Sequence, residues 1–231
     1  MLTEASAPGP PDLRRDSQYF LESVVFKVDN TLFKVPKHHF KYSGANGPFG
    51  FLFDTQQTGT GGQAPEGSSE ENPLVLPPGN PTASEFKAFL KVLHPLTIPV
   101  KYTDISLTEW KAILKLSSMW FFDPIQTFAV ERMSALGPPN ALDHVSKVVL
   151  GERYSVPHWL RDGCVHLAQR QEGGPSLEEG AQIGLDLTIK IYQIREAASR
   201  SRSGFDYKGC VNRLVEDILG SASLASDSYS P

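Results

Sequence analysis

The stretch VVFKVDNTLFKVPKHHF, residues 24–40, decides how the chain begins to fold. Val24, Phe26 and Val28 fall on one face at a period of two, and Phe33 and Val35 continue the alternation after a turn at Asp29–Asn30. This pattern predicts a β-hairpin. Asn30 is the turn residue expected to adopt φ > 0, and Pro36, which has no N–H to give to a ladder, is expected to end the second strand. Lys37, His38 and His39 then lie just past the sheet, at the start of a helix. Lys34, Lys37, His38, His39 and Lys41 read as a solvated edge. Adjacent histidines point in different directions on a helix or a strand, so His38 and His39 are expected to be one surface and one half-buried side chain and not a chelating pair.

Outward from the hairpin, residues 1–18 are rich in Pro, Ala and charge with nothing periodic to bury, and read as a disordered lead-in. After the hairpin, GPFGFLFD (47–54) supplies Phe49, Phe51, Leu52 and Phe53 for burial. It is followed by TQQTGTGGQAPEGSSEEN, a Gly/Ser/Gln/Glu-rich spacer, before apolar sequence resumes at PLVLP (73–77). Because closure entropy grows slowly with loop length, residues 54–73 read as a flexible insertion within one domain.

Beyond it, Ser/Thr-x-x-Glu starts three helices, the hydroxyl capping a backbone N–H and the glutamate reaching back. Thr82/Glu85 opens a helix carrying Phe86, Phe89, Leu90 and Leu93; Ser106/Glu109 opens one carrying Trp110, Ile113, Leu114 and Phe121; Ser176/Glu179 opens a third carrying Ile183, Leu187, Ile191 and Ile194. Asp123–Pro124 starts a further helix that stops at Gly137–Pro138, and two more follow around Val145–Val149 and Trp159–Leu167. The second half is expected to be all helical.

At 231 residues, with 26 acidic against 22 basic side chains, the chain lacks the cationic excess of a nucleic-acid binder. No apolar run approaches the ~20 residues that cross a bilayer, and the first residues carry no apolar signal core. Two cysteines, Cys164 and Cys210, form no disulfide framework, so the expectation is an intracellular, thiol-reduced protein of the cytoplasm or nucleus. Metal-ligand spacings such as Cys-x-x-Cys are missing, and the glycines of GTGGQ fit no phosphate loop. Cys164 and His166 stand on different helix faces, and no Gly-x-Ser-x-Gly elbow occurs. We therefore expect no catalytic residue, no metal and no cofactor; the rival class is a small enzyme with an unrecognised pocket. Near the C-terminus, Val211, Leu214, Val215 and Ile218 form a stripe at helical spacing behind SRSRSG, either a helix for a partner's groove or one that packs on its own domain.

The order hairpin, helix, aromatic segment, short strand, helix and helical pair resembles the BTB (POZ) fold, a small sheet capped by helices. VVFKVDNTLFKVPKHHF is similar to that family's opening hairpin and first helix, GPFGFLFD to its second helix, and FKAFLKVLHPL to the helix that usually ends near Tyr-Thr-Gly. VVLGERYSVPHWLRDGCVHLAQR and SLEEGAQIGLDLTIKIYQIREA resemble the helical extension of BTB proteins from mushroom-forming fungi. Glu22–Ser23 stand where the family carries an Asp before the first strand, and Pro36 replaces the His of its Phe-x-x-His pattern. The resemblance implies an α+β BTB domain over residues 19–136 and a helical extension over 140–199; residues 200–231 read from their composition and spacing as a linker, a short amphipathic helix and a Ser-rich tail. It also implies a non-enzymatic interaction module: a homodimer, an adaptor for a cullin ubiquitin ligase, or an assembly partner of transcriptional regulators. The surface it points to is Tyr19, Phe20 and Leu21 with Phe40 and Tyr42.

Overall fold

The computed structural model describes residues 14–41, 47–50, 53, 64–200 and positions 209, 213 and 215. They form an α+β chain with a three-stranded sheet followed by helices. Strands β1 (Ser23–Val28) and β2 (Thr31–Pro36) make the hairpin, with Val24 opposite Val35 and Phe26 opposite Phe33. The positive φ of the turn falls on Asp29 (51°), not on Asn30. Asp29 is suited to it because its carboxylate accepts hydrogen bonds from the N–H groups of Ala83 (2.9 Å) and Gly79 (3.4 Å), tying the turn to a distant helix start. Pro36 closes β2, and a one-turn helix α1 (His38–Lys41) follows.

Strand β3 (Leu74–Val75) lies parallel to β1, giving the order β2-β1-β3. Of the region expected to be a flexible insertion, residues 54–63 lie outside the described residues, and 64–73 form a hydrogen-bonded loop. Asn72 donates through its amide to the Ala64 and Pro65 carbonyls, and the Val25 N–H donates to the Gly67 carbonyl at 2.8 Å. Gly67 has φ +81°, and a Cβ there would meet the Val24 Cγ2 at 2.7 Å. The glycine lets this loop press against β1.

Helices α2 (Ala83–Leu93) and α3 (Leu107–Met119) each begin with the expected capping box, Thr82/Glu85 and Ser106/Glu109. The two caps are cross-linked: Lys115 of α3 donates to both oxygens of Glu85, at 2.7 and 2.9 Å, and Lys91 of α2 pairs with Glu109. Each capping glutamate thus also fixes the neighbouring helix. The apolar stripes of these helices meet the inner face of the sheet, where Phe26, Phe40, Phe49, Phe86, Phe89, Trp120 and Phe122 form one aromatic cluster. Phe26 and Phe86 meet edge-on with centroids 5.2 Å apart, as do Phe49 and Trp120. Such pairs add about 0.5–1.5 kcal/mol each beyond the area they bury.

The chain divides into two compact units, Met1–Gln126 and Thr127–Pro231, the division falling within helix α4 (Asp123–Ser134). The second unit is helical. Its core of Val145, Val148, Leu167, Ile183, Leu187, Ile191 and Ile194 is built by α5 (His144–Arg153), α6 (Pro157–Gln169), α7 (Leu177–Ile183) and α8 (Leu185–Arg200). The single helix expected after Ser176 is two helices, because Gly184 at φ 95° caps the first and turns the chain before the second. Gly163 brings α5 and α6 close: a Cβ there would stand 2.6 Å from the Val148 Cγ2 and 2.7 Å from the His144 carbonyl oxygen. Among the described residues no helix is long and apolar enough to cross a membrane.

Candidate functional site

The chain approaches β1 through an exposed turn. The Asp16 carboxylate accepts the N–H groups of Gln18 (2.9 Å) and Tyr19 (2.7 Å), which bends residues 16–19 and holds that carboxyl below the ordinary range. Beyond the bend, Tyr19, Phe20 and Leu21 are 83%, 58% and 48% exposed, three successive large apolar side chains in water. The Arg15 guanidinium lies 4.6 Å from the centre of the Phe20 ring. Immediately after them, Glu22, Ser23, Val24, Lys37, Phe53 and Gly67 line an open groove of about 560 Å³. Lys37 sits with its ammonium 3.8 Å from Glu22 and 4.6 Å from the centre of the Phe53 ring. Here an apolar segment adjoins a partly charged groove.

Phe40 does not belong to this surface. It is fully buried, with Phe26, Phe49 and Phe122 around it at centroid distances of 4.9, 5.2 and 6.1 Å, because the turn of α1 aims it under the sheet. Tyr42 lies outside the described residues, as do Val211, Leu214 and Ile218. Val215 is buried in the core of the helical unit.

The structure assembles one cluster that spacing did not foretell. The rings of His38 and His39 do converge, with centroids 3.8 Å apart, and both meet His94, which caps the C-terminus of α2, at 6.1 and 4.9 Å. His38 is half-buried and His39 exposed. The Nδ1 of His38 and the Nε2 of His94 are buried without hydrogen-bond partners, while His94 also bonds to the Pro36 carbonyl. Burial, then repulsion from His39 and His38, pulls the pKa of His94 down to about 4; burial and His38 lower that of His39. The His94 ring is therefore neutral at pH 7 and acts as packing. Among the described residues no group of three or more His, Cys, Asp or Glu is arranged to hold a metal ion.

In the helical unit the Ser134 hydroxyl lies 3.3 Å from the His158 Nε2, but it donates to the Val130 carbonyl (2.7 Å) and accepts the Trp159 indole N–H (2.8 Å). Committed in this way, it serves as the anchor of Trp159 and is poorly placed to pass its proton to the imidazole. His144 and His166 stack at 4.2 Å, and burial followed by the His166 charge lowers the pKa of His144. Cys164 is buried, and desolvation pushes its thiol up to about 12, the setting of an inert core cysteine. Compared with models of known protein families, with curated proteins and with solved structures, the chain matches none.

Proposed function

We propose that this chain is a non-enzymatic protein-interaction module of the BTB (POZ) type, and that it docks a protein partner through the segment leading into its sheet. The observation that carries the reading is the exposed run Tyr19–Phe20–Leu21. Three adjacent large apolar side chains in water cost hydration free energy that burial against a partner recovers, and aromatic residues dominate the energetics of such contacts. The adjoining groove, with Glu22, Lys37 and Glu66 on its walls, supplies the polar rim that such patches carry. The assignment to the BTB type is supported by the order of elements: a hairpin, a short helix, a helical aromatic segment at residues 48–50 and 53, a strand added to the hairpin, then the capped pair α2 and α3. By that resemblance the partner is a second copy, a cullin of a ubiquitin ligase, or a transcriptional regulator.

The test is quantitative affinity capture from native cells with the full chain and with a Phe20→Ala/Leu21→Ala variant whose fold is checked by circular dichroism. A set of proteins, or the chain itself, enriched by the wild type and reduced at least about tenfold by the variant is the expected result, since truncating a central aromatic anchor costs about 2 kcal/mol or more. Equal recovery by both chains would remove this surface from the proposal.

A further inference from the structure

Directly before the apolar run, the sequence reads Arg14–Arg15–Asp16–Ser17, placing guanidinium groups three and two residues ahead of a serine. All of residues 14–20 are exposed and outside regular secondary structure, and the segment's bend is held by the Asp16 carboxylate. A protein kinase takes its substrate as an accessible, adaptable segment and selects it by charge pattern: carboxylates in the cleft pair with arginines ahead of the phosphoacceptor. We propose that Ser17 is a phosphorylation site for an arginine-directed serine kinase, and that its phosphate switches off the apolar docking segment beside it. In the step, the Ser17 Oγ attacks the γ-phosphorus of a nucleoside triphosphate. The new Oγ–P bond replaces the bond to the leaving diphosphate, and the hydroxyl proton goes to the kinase's base.

The consequence for the surface follows from where Arg15 is. In the unmodified chain its guanidinium lies over the Phe20 ring at 4.6 Å, an exposed and therefore weak contact. A phosphate at Ser17 carries about −1.5 to −2 charges at pH 7 and presents oxygens that bind a guanidinium in a bidentate manner. It competes for Arg15 and uncovers the ring. It also sets a dianion beside Tyr19, Phe20 and Leu21, which any partner burying those side chains would have to desolvate. This second part rests on the reading of that run as the docking surface.

The experiment has two arms. In the first, the full chain is incubated with ATP and the catalytic subunit of the cyclic-AMP-dependent kinase, and phosphate is located by mass spectrometry. The expected result is phosphate on Ser17, none at that peptide in Ser17→Ala, and labelling slowed about tenfold or more in Arg14→Ala and Arg15→Ala, the value of one lost charge-assisted pair. Equal total labelling of wild type and Ser17→Ala overturns the site; Ser203, which has Arg200 three residues ahead, is where that label would then be sought. In the second, phosphorylated and unphosphorylated chains are compared in the capture assay beside Phe20→Ala. Loss of partner with either change supports the switch. Loss with Phe20→Ala alone overturns the switch and leaves the docking surface standing, whereas no loss with Phe20→Ala overturns the docking surface and with it the switch, the site itself being decided by the first arm.

Discussion

Acidification between pH 6.5 and about 4 should destabilise the first unit, and substitution of His94 by Gln should remove part of that dependence. His94 titrates near 6.5 in an unfolded chain and near 4 in the folded one, because burial and the neighbouring rings of His39 and His38 disfavour its charge. Within that window the unfolded state holds a proton that the folded state does not, so stability is fully present above pH 6.5 and falls as the pH drops toward 4. A fall from 6.5 to about 4 corresponds to about 3 kcal/mol; water reaching the partly exposed ring screens this, leaving about 1–2 kcal/mol. Glu85 and Glu109 contribute in the opposite part of the scale. Burial raises their pKa values, but the hydrogen bonds and charges of Lys115 and Lys91 together with the cap N–H groups outweigh it, so their stabilisation is lost only below about pH 4.5. His39 and His144 are shifted the same way as His94, so the difference between wild type and variant carries the test. The assay is urea unfolding across this range, followed by tryptophan fluorescence, to which Trp120 contributes from the core of the first unit. Identical pH slopes for wild type and His94→Gln between pH 6.5 and 4.5 would refute the reasoning.

Other expectations follow from single contacts. Phe40→Ala should cost about 3–5 kcal/mol in a stability measurement while Phe20→Ala costs less than about 0.5, since one ring is fully buried and the other is mostly in water. A double-mutant cycle of Glu85→Gln with Lys115→Met should return a coupling of about 0.5–1 kcal/mol that shrinks as salt is added; a value of zero would make the crossed caps ornamental. Gly163→Ala should destabilise the helical unit by about 1–3 kcal/mol in thermal unfolding, because its new methyl meets Val148 and the His144 backbone. Cys164 should resist alkylation at neutral pH in the folded protein and react on unfolding; rapid native labelling of that residue would contradict its burial.

The local elements were legible in the order of residues, since their causes are local. Period-two alternation wrote the hairpin, Pro36 its end, and the three Ser/Thr-x-x-Glu pairs the starts of α2, α3 and α7, each with both reciprocal hydrogen bonds in place. Helical spacing also foretold core side chains such as Phe86, Phe89, Trp110, Ile113 and Leu114, but Phe121, expected on the same stripe, lies past the end of α3 at φ 59° and is 51% exposed. What depended on distant partners was decided only by tertiary structure. The positive φ passed to Asp29 because Ala83 and Gly79 offer its carboxylate N–H groups from across the unit, and Gly184 ended a helix whose apolar stripe ran on unbroken. Phe40 was placed in the core, Tyr19, Phe20 and Leu21 in water, and His94 against His38 and His39. An apolar residue carries the same hydrophobicity whether or not a neighbour arrives to bury it, and the neighbours of these side chains come from elements far away in the chain.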